Sequence, residues 1–82
     1  MDFLLTLAKK FAFEILLKLE QSSEGLRHHD IMLEVVKNPS TTTARLKELL
    51  NAGVIEKSDE RYRLSSKGRK ILPHLKAIHE NG

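Results

Sequence analysis

Asn38-Pro39-Ser40-Thr41-Thr42-Thr43-Ala44-Arg45-Leu46-Lys47-Glu48-Leu49-Leu50-Asn51-Ala52-Gly53 carries its own start and stop signals. The side-chain oxygen of Asn38 suits a helix N-cap, where it accepts a first-turn amide that has no carbonyl partner. Pro39 fits the first helical position, since the amide it lacks would go unpaired there anyway. Gly53 ends the helix, because the left-handed conformation that closes a helix costs glycine least. With Thr42, Leu46 and Leu49 turned inward, a pitch of about 100° per residue puts Ser40, Ala44, Lys47 and Asn51 on the opposite face. Thr41 and Glu48 then lie beside that face, and Thr43 and Arg45 on its flanks.

Upstream, only Val36-Lys37 separates this helix from a second short one. Leu26-Arg27-His28 reads as a short strand. A helix follows from His29 or Asp30, with Ile31 and Val35 facing inward. Two short helices on a tight turn make a helix-turn-helix. Further upstream, the spacing of Asp2, Thr6, Lys9, Lys10, Glu14, Lys18, Glu20 and Gln21 predicts one long helix from Asp2 to Gln21. Its apolar arc is wider than the one face a helix normally buries in its own domain, and a second copy of the chain would cover the surplus.

Downstream, Val54-Ile55-Glu56-Lys57 and Arg61-Tyr62-Arg63-Leu64 flank the polar turn Ser58-Asp59-Glu60, which predicts a hairpin. Alternation turns Tyr62 and Leu64 inward and Lys57, Arg61 and Arg63 outward. A last helix, capped near Ser65 or Ser66, runs to about Glu80 on a stripe of Ile71, Leu72, Leu75 and Ile78. Pro73 inside it predicts a kink or a restart. The order helix, short strand, helix, helix, hairpin, helix is that of a winged helix-turn-helix. The fold class is therefore mainly α with a small β-hairpin.

The 82 residues make a single domain, 1–82, of 40% hydrophobic and 30% charged residues. A core this small has a thin stability margin, and self-association is a common remedy. Segments 1–12 and 66–80 are the expected dimerisation helices, with Phe3, Leu4, Leu7, Phe11, Leu75 and Ile78 at the interface. There is no cysteine, hence no disulfide, thiolate metal site or thiol nucleophile, which suits a cytoplasmic protein. Lys9, Lys10 and Glu14 interrupt the apolar N-terminus, so it does not read as a signal peptide. No uncharged apolar run reaches the roughly 18 residues of a membrane span.

The net charge is +3, and residues 54–82 alone contribute +3, which points the C-terminal third toward a polyanion. His28 and His29 diverge on any regular structure, and His74 and His79 stand five apart, so no metal site is expected. No cofactor is expected either. With no glycine-rich phosphate loop and no spaced acid pair, catalysis has no foothold.

The run Asn38 to Glu56 resembles the recognition-helix region of the HxlR, MarR and ArsR types of bacterial and archaeal regulators. Tyr62-Arg63-Leu64-Ser65-Ser66-Lys67-Gly68-Arg69-Lys70-Ile71-Leu72-Pro73 resembles the strand-to-helix segment after their wing, closest to the HxlR pattern. The similarity covers roughly residues 12–76. This chain departs at His28, where those families carry an aromatic or aliphatic residue, and at Thr42, where a bulky aliphatic is common. It also lacks the cysteine sensor that some of them have.

The resemblance implies a homodimeric, DNA-binding transcriptional regulator and no enzyme. An α-helix fits the major groove of B-DNA, which it reads with its N-terminal residues. The expected DNA-contacting residues are Ser40, Thr41, Thr43, Ala44, Arg45 and Lys47 on the helix, in the major groove. Lys57, Arg61 and Arg63 of the wing 54–64 would lie over the adjacent minor groove or its phosphates. Double-stranded DNA and a second copy are the expected partners. The alternative is a winged-helix module for protein–protein contact, which the acidic Asp59-Glu60 tip would suit, or an architectural chromatin protein.

Overall fold

The computed structural model describes residues 11–81. Helix α1 (Ala12–Gln21) is followed by the short helix α2 (His28–Ile31), continued by a π-helical turn (Met32–Val36). Helix α3 (Pro39–Ala52), strands β1 (Ile55–Ser58) and β2 (Arg61–Leu64), and helix α4 (Ser66–Asn81) complete the chain.

Ala12, Ile15, Leu16 and Leu19 of α1 are buried, an i, i+3, i+4, i+7 stripe. This face packs against β2, α4 and the π-helical turn. Phe11, just before it, has a left-handed φ of 73°. A continuous right-handed helix cannot hold such a residue, so the expected helix from Asp2 to Gln21 is interrupted there. No glycine or proline marks the break, which is why the apolar periodicity runs across it. Residues 1–10, including Phe3, Leu4 and Leu7, lie outside the described residues.

The strand expected at Leu26–His28 is a single bridge. Leu26 N–H donates to Tyr62 O at 3.0 Å, and Tyr62 N–H donates to Leu26 O at 2.7 Å. Arg27 is already the N-cap of α2, its amide donating to the Asp30 carboxylate at 3.3 Å, so the helix starts at His28. Gly25, with φ 86°, makes this junction possible. A Cβ there would stand 2.8 Å from both Tyr62 O and the Arg63 side chain. The π-helical turn closes through Lys37 N–H to Met32 O at 2.6 Å. That extra residue per turn makes Val36, at 5% exposure, rather than the half-buried Val35, the deep partner of Ile31.

Helix α3 follows its sequence signals. Asn38 Oδ1 accepts from Thr41 N–H at 2.9 Å, Pro39 sits at N1, and Gly53 closes the helix with φ 78°. Thr42, Leu46 and Leu49 are its buried residues. Thr42 is wholly enclosed, and its hydroxyl donates to Asn38 O at 2.8 Å, so the smaller residue brings no unsatisfied polar group into the core.

β1 and β2 pair antiparallel from Ile55↔Leu64 to Ser58↔Arg61. The two-residue turn Asp59-Glu60 has φ of 52° and 64°, the type I′ geometry that matches strand twist. Helix α4 is pinned to the end of α3. Ser65 Oγ donates to Gly53 O at 2.5 Å and accepts from Gly68 N–H at 3.0 Å, while Ser65 N–H donates to Val54 O at 3.1 Å. α4 runs through Pro73 without a restart, because the proline is exposed and solvent can serve the carbonyl it leaves unpaired.

Ile15, Leu16, Ile31, Leu46, Leu49, Val54 and Leu72 are the largest apolar side chains fully buried in one core. At roughly 1.5–3 kcal/mol for each large aliphatic side chain, this burial is the main force holding α3 and the hairpin in fixed relation.

Candidate nucleic-acid interface

The N-cap and the inward stripe of α3 fix which of its residues face out. Ser40, Thr43, Ala44, Lys47 and Asn51 are exposed, and Thr41 is half-buried. Small side chains occupy most of this face and let a double helix approach the backbone closely, while Lys47 stands above them. Lys47 enters no ion pair among the described residues.

Arg45 behaves differently from the long, reaching side chain that the sequence suggests. Its Nη1 lies 2.7 Å from Glu48 Oε1, with the two side chains only 21% and 15% exposed. The pair neutralises both charges on the flank of α3.

Thr43 is held at both ends. Its hydroxyl donates to Pro39 O at 3.1 Å and lies 2.8 Å from His28 Nε2. A hydroxyl has one proton, so His28 Nε2–H is the donor in the second bond. The Thr43 oxygen keeps one lone pair outward, which suits an amino group of adenine or cytosine.

On the hairpin, Lys57 is exposed, with its ammonium 5.4 Å from the centre of the Tyr62 ring. Arg61 and Arg63 are half-buried. Arg61 Nη1 donates to Gly25 O at 3.3 Å, and the Arg63 stem packs against Gly25. Both arginines therefore lean over the α1–α2 connection. The acidic Asp59-Glu60 turn forms the exposed tip.

One cationic feature escaped the sequence reading. Arg27, His28, His29, Lys57, Glu60 and Tyr62 line a recess of about 220 Å³ between the start of α2 and the hairpin. Its wall is continuous with α3 through the His28–Thr43 bond. That contact spans 15 positions in sequence, so no local pattern announces it. Among the described residues no group of three or more histidines and carboxylates is placed to hold a metal ion, and no helix is long and apolar enough to cross a membrane.

A core built from four helices and a two-stranded hairpin, with a capped α3 that has a small-residue outer face, describes a known kind of domain. A family model described as winged helix-turn-helix matches residues 9–81. The chain belongs to the winged helix-turn-helix family. In the terms of that fold, α2 and α3 are the helix-turn-helix, α3 is the recognition helix and β1–β2 is the wing. The winged helix-turn-helix is a DNA-binding fold. No curated protein and no solved structure matches the chain.

Of the residues expected at a dimer interface, Leu75 lies in the core of the chain at 8% exposure, because α4 turns it toward α1. Ile78, one turn on, is 64% exposed, and Phe11 is half-buried against the core.

Proposed function

We propose that this winged helix-turn-helix protein is a non-catalytic, cytoplasmic transcriptional regulator akin to the HxlR, MarR and ArsR types, binding double-stranded DNA as a homodimer. The observation that carries the reading is the outer face of α3, where Ser40, Thr43, Ala44 and Lys47 are all exposed. Thr41 supports them, and Lys57 flanks them on the wing. Arg45 joins the contact surface by exchanging Glu48 for a phosphate or a guanine edge, and Arg61 and Arg63 by swinging off the Gly25 loop.

The exposed Ile78 and the apolar segment before Phe11 supply the pairing surface. In such a dimer the two recognition helices meet successive major grooves about 34 Å apart.

Fluorescence anisotropy with a random-sequence duplex at 50 and 200 mM salt tests this reading. Binding should weaken steeply with salt. Lys47→Ala should weaken it about tenfold with an unchanged melting curve, a loss of roughly 1.4 kcal/mol. No binding at 50 mM salt would refute the reading and favour a protein partner, the use that the acidic wing tip and the neutralised Arg45 would suit. A monomer by light scattering at high concentration would remove the dimer.

A further inference from the structure

The recess between α2 and the wing has a composition that a merely solvated groove does not need. Arg27, His28, His29 and Lys57 supply nitrogen donors from two elements distant in sequence. Tyr62 makes the floor, only 8% exposed, and is itself fixed by its two-way backbone bridge to Leu26. Lys57, though exposed, holds its ammonium 5.4 Å from the centre of the Tyr62 ring. Three features make the recess rigid: the Leu26–Tyr62 bridge, the hairpin register and the His28–Thr43 bond. The His28–Thr43 bond also sets its distance from the recognition surface. A single tetrahedral anion fits a volume of about 220 Å³ open to solvent.

We infer that this recess seats one backbone phosphate of the duplex that α3 reads, clamped between Arg27 and Lys57; the inference rests on the DNA-binding reading above. The seat lies off the recognition helix and carries no sequence information. It fixes the angle at which α3 enters the groove, as phosphate contacts generally do. Glu60, on the rim, is the built-in opposing charge. Its carboxylate repels the phosphate and holds the clamp below its full strength.

The test uses the full chain and a fluorescein-labelled random duplex, with anisotropy titrations between 50 and 200 mM salt. Each phosphate contact contributes about 0.9 to the slope of log affinity against log salt, or about a threefold change in affinity over this range. Arg27→Gln and Lys57→Gln should each lower the slope by about that amount. Glu60→Gln should raise affinity at every salt concentration. Lys70→Gln, which removes an exposed cation of α4 outside the recess, should leave the slope unchanged.

Circular dichroism melts confirm that each variant is folded. Should Lys57→Gln melt early through loss of the Tyr62 contact, Arg27→Gln and Glu60→Gln decide the question, since neither touches the core. Parental slopes in Arg27→Gln and Lys57→Gln, or an equal fall in Lys70→Gln, would overturn the seat while leaving DNA binding intact. Absence of any binding by the parent protein would overturn both.

Discussion

Replacing Gly68 with alanine sets two effects of opposite sign against each other. Helix propensity alone favours alanine by about 0.8–1.0 kcal/mol within a helix. The structure opposes it. A Cβ at position 68 would be driven into the Val54 carbonyl oxygen, with Val54 C at 3.0 Å and Leu64 Cδ2 at 3.4 Å. A backbone carbonyl cannot rotate aside as the end of a side chain can, so the first turn of α4 must lift. Lifting strains Ser65 Oγ to Gly53 O at 2.5 Å, Ser65 N–H to Val54 O at 3.1 Å and Lys67 Nζ to Ala52 O at 3.0 Å.

Overpacking costs about 1–3 kcal/mol, and stretching rather than breaking the three hydrogen bonds about 1–2 kcal/mol in all. After the propensity gain, a net loss of about 2–3 kcal/mol remains. A domain of this size is stable by roughly 4–12 kcal/mol, so the loss is a large fraction of the total. At about 4–8 °C per kcal/mol, the melting temperature should fall by about 10–20 °C.

Urea unfolding followed by helical circular dichroism measures the effect, with Gly53→Ala as comparator. Gly53 has φ 78° but no atom nearer a new Cβ than Lys67 Cδ at 3.8 Å, so its cost is the left-handed strain alone, about 1–2 kcal/mol. Midpoints should fall from the parent to Gly53→Ala to Gly68→Ala. A Gly68→Ala protein as stable as the parent would show that α4 does not rest on Val54.

Glu60→Gly should raise the unfolding free energy by about 0.5 kcal/mol, and the urea midpoint with it, because Glu60 holds φ 64° against its Cβ whereas glycine does so freely. A lower midpoint would count against the tight left-handed tip. Pro73→Ala should stabilise by about 2 kcal/mol, restoring a donor inside α4 at an exposed position. An unchanged midpoint would mean that the helix does not run through residue 73. Thr42→Val should cost less than about 1 kcal/mol, since Asn38 O keeps the Thr42 amide at 2.9 Å when the hydroxyl is lost. A loss of several kcal/mol would give that hydroxyl a larger part in capping α3.

The sequence makes legible what local chemistry dictates. Asn38, Pro39 and Gly53 bound α3 because capping and left-handed closure are decided within a few residues. The inward stripe Thr42, Leu46 and Leu49 follows from helical pitch. The hairpin follows from alternation at Tyr62 and Leu64. What stays hidden depends on tertiary fit. Phe11 breaks α1 with a left-handed backbone that no residue type announces. The π-helical turn moves burial from Val35 to Val36, an extra residue that a regular helical period cannot supply. Leu75 and Ile78 share one apolar stripe, yet the packing of α4 on α1 buries the first and exposes the second. At the candidate interface, Arg45 and Arg61 read as free cations until Glu48 and the Gly25 carbonyl are seen beside them.

Ion pairs spread a net charge of only +3 unevenly over the described surface. Lys18 pairs with Glu34 at 3.3 Å and Lys76 with Glu20 at 2.7 Å, both away from α3, where they staple α1 to its neighbours. Such exposed pairs contribute little stability, typically below about 1 kcal/mol. Their electrostatic effect is to cancel charge where no polyanion is wanted. The Arg45–Glu48 pair also cancels charge, but on the flank of the recognition helix, where the proposed DNA contact would have to open it. Among the described residues, Lys47 on α3 and Arg27 beside the wing enter no ion pair. A protein attracted to DNA by a few placed charges, rather than by a broad positive field, would hold random duplex measurably at 50 mM salt and lose it as salt rises. Its discrimination must then come from fit, and the short polar side chains of α3 are built for close fit. On the proposed reading, the neutralised arginine would then belong to the recognition chemistry as much as the exposed lysine.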